Sequence, residues 1–366
     1  MNIIWFSEIR WDYLRTRKQH LLSYFPNGDS ILFIQPPSLS NRKYQNQYNH
    51  NIICKTIPVY KKGNYIVDMI FNFSFVRKVF YKIISYYSNT LIFYYLNRKV
   101  DVVCVSNLYY IPLFSKIDSP VVWDFNDDPE QFGYVPSWAL IMYKKLLSDK
   151  STMIISCSKG LNEYIYSEFN NQPTTISNGV EVSKFQNKIK VVKKKNKTII
   201  GYIGIVSKWF FDFNLIKLIC KKYPEVEIRI YGPEDKNASS EIQEIKSLEK
   251  VTIYPVLEYE KLPLIISEFD IGIIPLKSEE KVWRAASAKL LQYLAVGIPV
   301  VSVYMEQYVE FNNLILCKTN EEFISGLDYF LNNNDVIEKN DLSKYDWKYL
   351  SIEFRNELEV AIESFN

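Results

Sequence analysis

The sequence predicts an α/β protein made of two doubly wound, parallel-sheet domains. Three observations carry that prediction. At 366 residues the chain is long for one hydrophobic core and comfortable for two. Short apolar runs rich in Val and Ile alternate throughout with segments whose apolar residues recur at helical spacing. No internal repeat of roughly 20 to 50 residues marks a solenoid. Two lobes imply a cleft.

The elements follow in order. Asn2 to Ser7 is a buried strand, and Leu14, Leu21, Leu22 and Phe25 then recur at helical spacing. Ile31 to Gln35 is the next strand, closed by Pro36 and Pro37. Asp101 to Val105, Pro120 to Asp124 and Met153 to Ser156 are further strands, and a helix after Ser158 closes near Phe169. The turn SNGVEVSKF, Ser177 to Phe185, leads to Lys188 to Lys197, which holds six lysines and no acid and reads as an interdomain linker. The second half repeats the alternation: strands at Thr198 to Ile203, Val226 to Tyr231, Val251 to Tyr254 and Ile271 to Ile274, with helices at Phe213 to Tyr223 and Leu262 to Phe269. Asn313 to Cys317 is a last strand, and two helices follow, the final one with Trp347, Leu350, Phe354, Leu358, Ile362 and Phe365 on one face. The divisions expected are an N-terminal domain 1–183, a basic linker 184–197, a C-terminal domain 198–345, and a helix 346–366 returning to the first domain.

Composition narrows the function classes. Nearly half the residues are hydrophobic, Tyr and Phe are abundant and Gly is scarce, which fits a well-filled globular protein and excludes a disordered or fibrous one. A net charge of +3 is too small to argue for nucleic acid, and neither an RNA-binding signature nor zinc-ligand spacing occurs. Cys54, Cys104, Cys157, Cys220 and Cys317 are scattered and odd in number, the pattern of reduced cytosolic thiols. The start MNIIWFSEIRWD has no secretory leader pattern, and no apolar run reaches about 18 residues, so a cytoplasmic protein is expected.

The most informative stretch is Ser287 to Val303, SAKLLQYLAVGIPVVSV. Ser287 suits an N-cap, Lys289 projects from the first turn, and Leu290, Leu291, Leu294 and Ala295 form an apolar stripe. Gly297 ends the helix, and Val300, Val301 and Val303 read as a buried strand. Backbone N–H groups at a helix start, with a lysine beside them, suit a diphosphate. The other reading is an ordinary helix-strand step with a surface lysine.

Two further clusters stand out. Glu8, Arg10, Trp11, Arg15, Arg17, Lys18, Gln19 and His20 crowd the carboxyl end of the first strand, the usual ligand side of such a sheet; the alternative is a solvated helix face. Asp124, Asp127 and Asp128 sit at another strand's carboxyl end, as chemistry or as helix capping. Residues 61–99 interleave Ile66, Val67, Ile70, Phe71, Phe73, Val76, Phe80, Ile83 and Ile84 with Lys61, Lys62, Arg77, Lys78, Lys82, Arg98 and Lys99. Such a segment either docks on an anionic membrane or forms a core helix pair with a basic edge.

With these residues laid out, the chain resembles the nucleotide-sugar-dependent glycosyltransferases of the GT-B fold, in particular the bacterial group 1 type (glycosyltransferase family 4-like) that builds surface polysaccharides. IIGYIGIVSKWFFD at 199–212 is similar to that family's glycine turn, EVEIRIYGPED to its second strand and glycine, and FDIGIIPLK followed by SAKLLQYLAVGIPVV to its donor-binding core. FSEIRWDYLRTRKQHL and VVWDFNDDPEQF resemble its acceptor-domain elements more loosely. The resemblance implies that Ser287, Lys289 and Gly204 meet a donor diphosphate, aided by Arg284 or Lys208, and that Tyr231, Gly232, Val256 and Leu257 border the nucleobase. It assigns Arg10, Trp11 and Arg17 to acceptor binding. This chain departs from the family in two places: Gln292 stands where a glutamate usually meets the ribose, and Arg284 where retaining members have a second one. Glutamine still accepts one hydrogen bond and donates another.

The expected function is transfer of a sugar from a UDP- or GDP-sugar to a polysaccharide or lipid-linked glycan, with no cofactor or metal and with the nucleotide sugar as co-substrate. An inverting reaction needs a general base, for which Asp127, His20 and Glu8 are the candidates, Asp127 first; its neighbours Asp124 and Asp128 would raise its pKa by repulsion. A sugar-nucleotide epimerase and a non-catalytic nucleotide- or glycan-binding homologue are the alternatives.

Overall fold

The computed structural model describes residues 1–37, 50–61, 63, 65–114, 117–132, 134–186, 197–333 and 339–365, without the side chains of residues 131 and 132. Most of the expected linker, 187–196, and Lys62 lie outside the described residues. The chain divides into two compact units. Unit 1 comprises Met1–Cys157, Leu161–Ile176 and Leu350–Asn366; unit 2 comprises Ser158–Gly160 and Ser177–Tyr349.

In unit 1 the elements run β1 (Asn2–Phe6), α1 (Arg17–Ser23), β2 (Ser30–Gln35), β3 (Ile52–Thr56), α2 (Tyr65–Phe71), α3 (Ser74–Leu96), β4 (Val102–Val105), α4 (Ile111–Phe114), β5 (Val121–Phe125), α5 (Ser137–Ser148), β6 (Thr152–Ser156), α6 (Lys159–Phe169, its first two residues in unit 2) and β7 (Thr174–Thr175). The seven described strands are all parallel, in the order β3-β2-β1-β4-β5-β6-β7. Trp5 pairs with Phe33 on one side and Cys104 on the other, and these strands are buried on both faces, which is why they read as continuous apolar runs. The strand order reverses between β1 and β4, and the carboxyl ends at such a switch point open a crevice.

Unit 2 runs α7 (Val182–Gln186), β8 (Ile199–Ile203), α8 (Phe213–Lys222), β9 (Glu227–Tyr231), α9 (Ser239–Lys246), β10 (Val251–Tyr254), α10 (Leu262–Ile266), β11 (Ile271–Ile274), α11 (Glu280–Trp283), α12 (Ala288–Val296), β12 (Val300–Val303), β13 (Leu314–Cys317) and α13 (Asn320–Asn332). Its parallel sheet has the order β10-β9-β8-β11-β12-β13 and reverses between β8 and β11. The α/β architecture of two parallel sheets is therefore the one the alternation predicts.

The last helix, α14 (Trp347–Phe365), enters unit 1 at Leu350. Phe354 stacks on Trp5 with centroids 5.5 Å apart, Ser351 Oγ donates to the Leu21 carbonyl at 2.6 Å, and Arg355 pairs with Asp29 at 2.8 Å. Leu350, Phe354, Leu358 and Ala361 are buried, whereas Phe365 is 49 % exposed, so the apolar stripe is covered for only part of its length. No helix among the described residues is long and apolar enough to cross a membrane.

The stop of α12 is a backbone device. Gly297 has φ +84, and its N–H donates to the carbonyls of Tyr293 and Leu294 at 3.1 Å each. Nothing lies within 4 Å of a Cβ built there, so Gly297→Ala meets only the left-handed backbone penalty. It is expected to lower stability by about 1–2 kcal/mol, read as a shifted urea midpoint at unchanged m.

Candidate functional site

The switch point of unit 2 brings two glycine turns and one lysine together. The Gly204 N–H donates to the Tyr231 carbonyl at 2.9 Å, so the turns leaving β8 and β9 are tied by their backbones. Gly232 sits at φ +156, and a Cβ there would lie 1.9 Å from the Gly204 carbonyl oxygen. Only glycine fits. A Cβ at Gly204 would in turn lie 2.3 Å from the Tyr202 hydroxyl and 3.0 Å from Cε of Lys289. Lys289, in the first turn of α12, therefore lays its stem across the glycine turn that follows β8.

Tyr293, one turn further along α12, fixes that approach. Its hydroxyl accepts a hydrogen bond from the Ile203 N–H at 2.7 Å, pinning the helix to the end of β8. Burial holds this phenol well above its ordinary range, so it stays protonated. Tyr293 does not stand out in the sequence; its spacing of four from Lys289 is the available signal.

The helix start is braced from outside. Ser287 occupies the N-cap position with φ −91 and ψ 112, but its side chain makes no capping hydrogen bond, unlike the capping role its identity suggested. Its carbonyl accepts from the Tyr308 hydroxyl at 3.2 Å, and the Ala286 carbonyl accepts from Asn178 Nδ2 at 2.8 Å. The Arg284 carbonyl accepts from Ser158 Oγ, while the Arg284 guanidinium pairs with Glu280. Gly160 packs against this backbone: a Cβ on it would lie 3.0 Å from Arg284 Cα. Residues 284–287 are thereby clamped by Ser158, Gly160 and Asn178.

The remaining unit 2 candidates are more dispersed. Tyr231 stacks on Tyr254 with centroids 4.5 Å apart and planes 11° from parallel, and the Gly232 N–H donates to the Tyr254 carbonyl at 3.3 Å. Val256 and Leu257 follow β10 and are half-buried. Gln292 is buried on α12. Lys208 is drawn to Glu241 on α9 at 3.0 Å. That pair lies at the surface, with the Lys208 side chain 58 % exposed.

In unit 1 the corresponding switch point holds Glu8. Its carboxylate accepts from Ser106 Oγ at 2.6 Å, just past β4, and from Lys18 Nζ at 2.7 Å. Lys18 Nζ also lies 3.9 Å from the Asp124 carboxylate, which Arg17 Nε meets at 2.9 Å. Lys18, Arg17 and Asp124 are buried, so the helix face that could have been solvated is instead an internal row of alternating charges. Burial works against the Lys18 ammonium, but the Glu8 and Asp124 carboxylates outweigh it and hold its pKa above the ordinary lysine value.

The other acceptor-side candidates are placed as follows. Arg17 is taken up by Asp124, and Trp11, 1 % exposed, packs edge-on against Phe33 with centroids 5.2 Å apart. His20 is 2 % exposed on α1. Arg10 forms a fork-like pair with Asp12, at 2.8 and 3.0 Å. Of the three aspartates, Asp124 lies in β5 and is paired with Arg17, while Asp127 and Asp128 follow the strand. Asp128 is buried, accepting from the Glu130 N–H at 3.0 Å and the Tyr164 hydroxyl at 3.1 Å, and burial raises its carboxyl pKa. Asp127 is exposed and accepts from Asn126 Nδ2 at 2.7 Å. Among the described residues, no group of three His, Cys, Asp or Glu is placed to hold a metal ion.

Residues 199–333 match the family described as glycosyl transferases group 1. The chain is 27 % identical over 203 residues to a Bacillus subtilis protein named as the teichuronic acid biosynthesis glycosyltransferase TuaH, with 49 % of each chain covered, so it spans about half the length of that curated relative. Among solved structures it is similar to the sucrose-phosphate synthase of Thermosynechococcus elongatus, with a TM-score of 0.64, 13 % identity, and 100 % of this chain and 96 % of that one covered. Anabaena HepE in complex with UDP and glucose gives a TM-score of 0.63 at 11 % identity, covering 100 % and 97 %. The lipopolysaccharide outer core galactosyltransferase WaaB gives 0.62 at 13 %, covering 99 % of each. The chain therefore has the GT-B fold, and its residues 199–333 match the glycosyl transferases group 1 family.

Proposed function

We propose that this protein is a glycosyltransferase that moves a sugar from a UDP- or GDP-sugar onto a polysaccharide or lipid-linked glycan acceptor, without a metal ion. The observation that carries the reading is Lys289 lying across the Gly204 turn at the β8/β11 switch point. In the reaction an acceptor hydroxyl oxygen bonds to the anomeric carbon, the bond from that carbon to the diphosphate breaks, and the nucleotide diphosphate leaves. Lys289 and the N–H groups at the start of α12 offset the charge that builds on the leaving oxygens. The hydroxyl proton passes to Asp127. Gln292 serves the ribose. The likeness to TuaH supports a surface-polymer acceptor, and the HepE complex supports a UDP-sugar donor.

Calorimetric titration with UDP- and GDP-sugars tests the donor reading. Lys289→Ala is expected to weaken donor binding roughly tenfold to a hundredfold, the worth of one charge-assisted hydrogen bond to phosphate, with an unchanged melting temperature. Equal affinity in the variant would remove Lys289 from the site. Absence of binding to any nucleotide by the parent protein would return it to a non-catalytic homologue.

A further inference from the structure

The α2–α3 segment of unit 1 carries two apolar faces. One is buried: Tyr81, Ile84, Leu91, Ile92 and Leu96 lie on the core side of α3. The other meets water: Phe75 is 75 % exposed, Val79 42 %, Ile83 65 %, Tyr86 79 % and Tyr94 70 %. At about 100° per residue these five side chains fall within an arc of roughly 100°, opposite the buried set. Tyr65, Ile66, Met69, Ile70 and Phe73 extend the exposed surface onto α2. An apolar surface of this extent is rare on a protein that stays in water.

Its surroundings are cationic. Lys78 and Lys82 are exposed on α3, and Asp68 is the only acid in residues 61–100. The Asp68 carboxylate accepts from the Tyr60 hydroxyl. Beside the stripe is a cavity of about 440 Å³ whose lining includes Arg77, Lys78, Lys82, Tyr81, Ser85 and Trp138. Arg77 lies over the Trp138 ring at 5.2 Å. Cations and hydroxyls on an aromatic floor suit a phosphate ester.

We infer that α2–α3 docks in the interface of an anionic bilayer, its Phe75–Tyr94 stripe at the boundary of headgroups and acyl chains and its basic cavity over a lipid phosphate. The occupant follows from charge: a second copy would bring two lysine rows face to face, whereas an anionic leaflet attracts them. Tyrosines on the stripe match the amphipathic depth of that boundary. The inference stands apart from the donor site, since it involves other residues in the other unit.

Vesicle sedimentation with the full chain is the test, using phosphatidylcholine vesicles with and without phosphatidylglycerol. Binding should favour the anionic vesicles and fade in high salt. Lys78→Ala with Lys82→Ala should reduce partitioning about twenty-five-fold, at roughly fivefold per lysine. Ile83→Ser with Tyr94→Ser, both at exposed positions, should also release the protein, with its melting temperature kept. Equal binding to neutral and anionic vesicles, or none at low salt, overturns the inference. So does a dimer in light scattering that the Ile83→Ser and Tyr94→Ser pair dissolves, which would assign the stripe to a second copy. Binding of glycerol phosphate in solution with no vesicle binding would make the cavity a soluble phosphate site and equally overturn it.

Discussion

Replacing Asp124 with asparagine is expected to cost the fold about 3–5 kcal/mol, the range for leaving a buried charge without its partner. Asp124 is 2 % exposed and lies 2.9 Å from Arg17 Nε and 3.9 Å from Lys18 Nζ, both themselves buried. Asparagine keeps the shape and removes the negative charge, so two cations face each other with only Glu8 to offset them. Urea unfolding at unchanged m measures the loss. Asp124→Leu combined with Arg17→Met should cost less than Asp124→Asn alone, because an apolar pair leaves no uncompensated charge. A loss below about 1 kcal/mol in Asp124→Asn would mean that the row of charges is wet and contributes as surface pairs do.

Asp127→Asn is expected to do the opposite: to leave stability alone and lower turnover by about 10²–10⁴-fold, the contribution of a general base. The three aspartates at the carboxyl end of β5 divide by environment. Asp124 is held by Arg17 and Asp128 by the Tyr164 hydroxyl and the Glu130 N–H, whereas Asp127 is exposed. An exposed carboxylate can meet an acceptor hydroxyl without breaking the fold. Initial rates at saturating UDP- or GDP-sugar, with donor affinity measured in parallel, separate the two roles. Retained turnover removes Asp127 as base, and a product with the donor's own anomeric configuration removes the inverting scheme that needs one.

The inner strands of both sheets were legible because they are largely buried on both faces and so read as unbroken apolar runs, whereas the two-residue β7 offered no such run. β3 was not legible either: its burial falls away along IICKT, from Ile52 to an exposed Thr56, as befits an edge strand. α5 was also missed, since its buried residues Ala139, Tyr143 and Leu147 give one contact per turn among exposed lysines. α9 hides in the same way, with only Ile242 and Ile245 buried. At the site, the helix start, Lys289 and the glycine turns could be read from residue type and order. The buried charges on α1 could not, because Arg, Lys, Gln and His on a short helix are normally taken as its wet face. Their burial depends on Asp124 and Glu8, which come from other elements and which no local pattern announces. The Lys208 ion pair was hidden for a related reason, since its partner Glu241 lies on the helix that went unread.

The path of the chain also limits how this gene can be cut or shuffled. Ser158–Gly160 count with unit 2 although Met1–Cys157 and Leu161–Ile176 on either side belong to unit 1, and the chain returns to unit 1 again at Leu350. A fragment bounded by the family match at 199–333 would keep Lys289 and both glycine turns and lose Ser158, Gly160 and Asn178, the clamp on residues 284–287. Exchange of this unit for another by a single crossover at residue 199 would strand the same three residues in the wrong half. Chimeras made by such a swap must therefore carry Ser158, Gly160 and Asn178 with the incoming unit, or match them residue by residue.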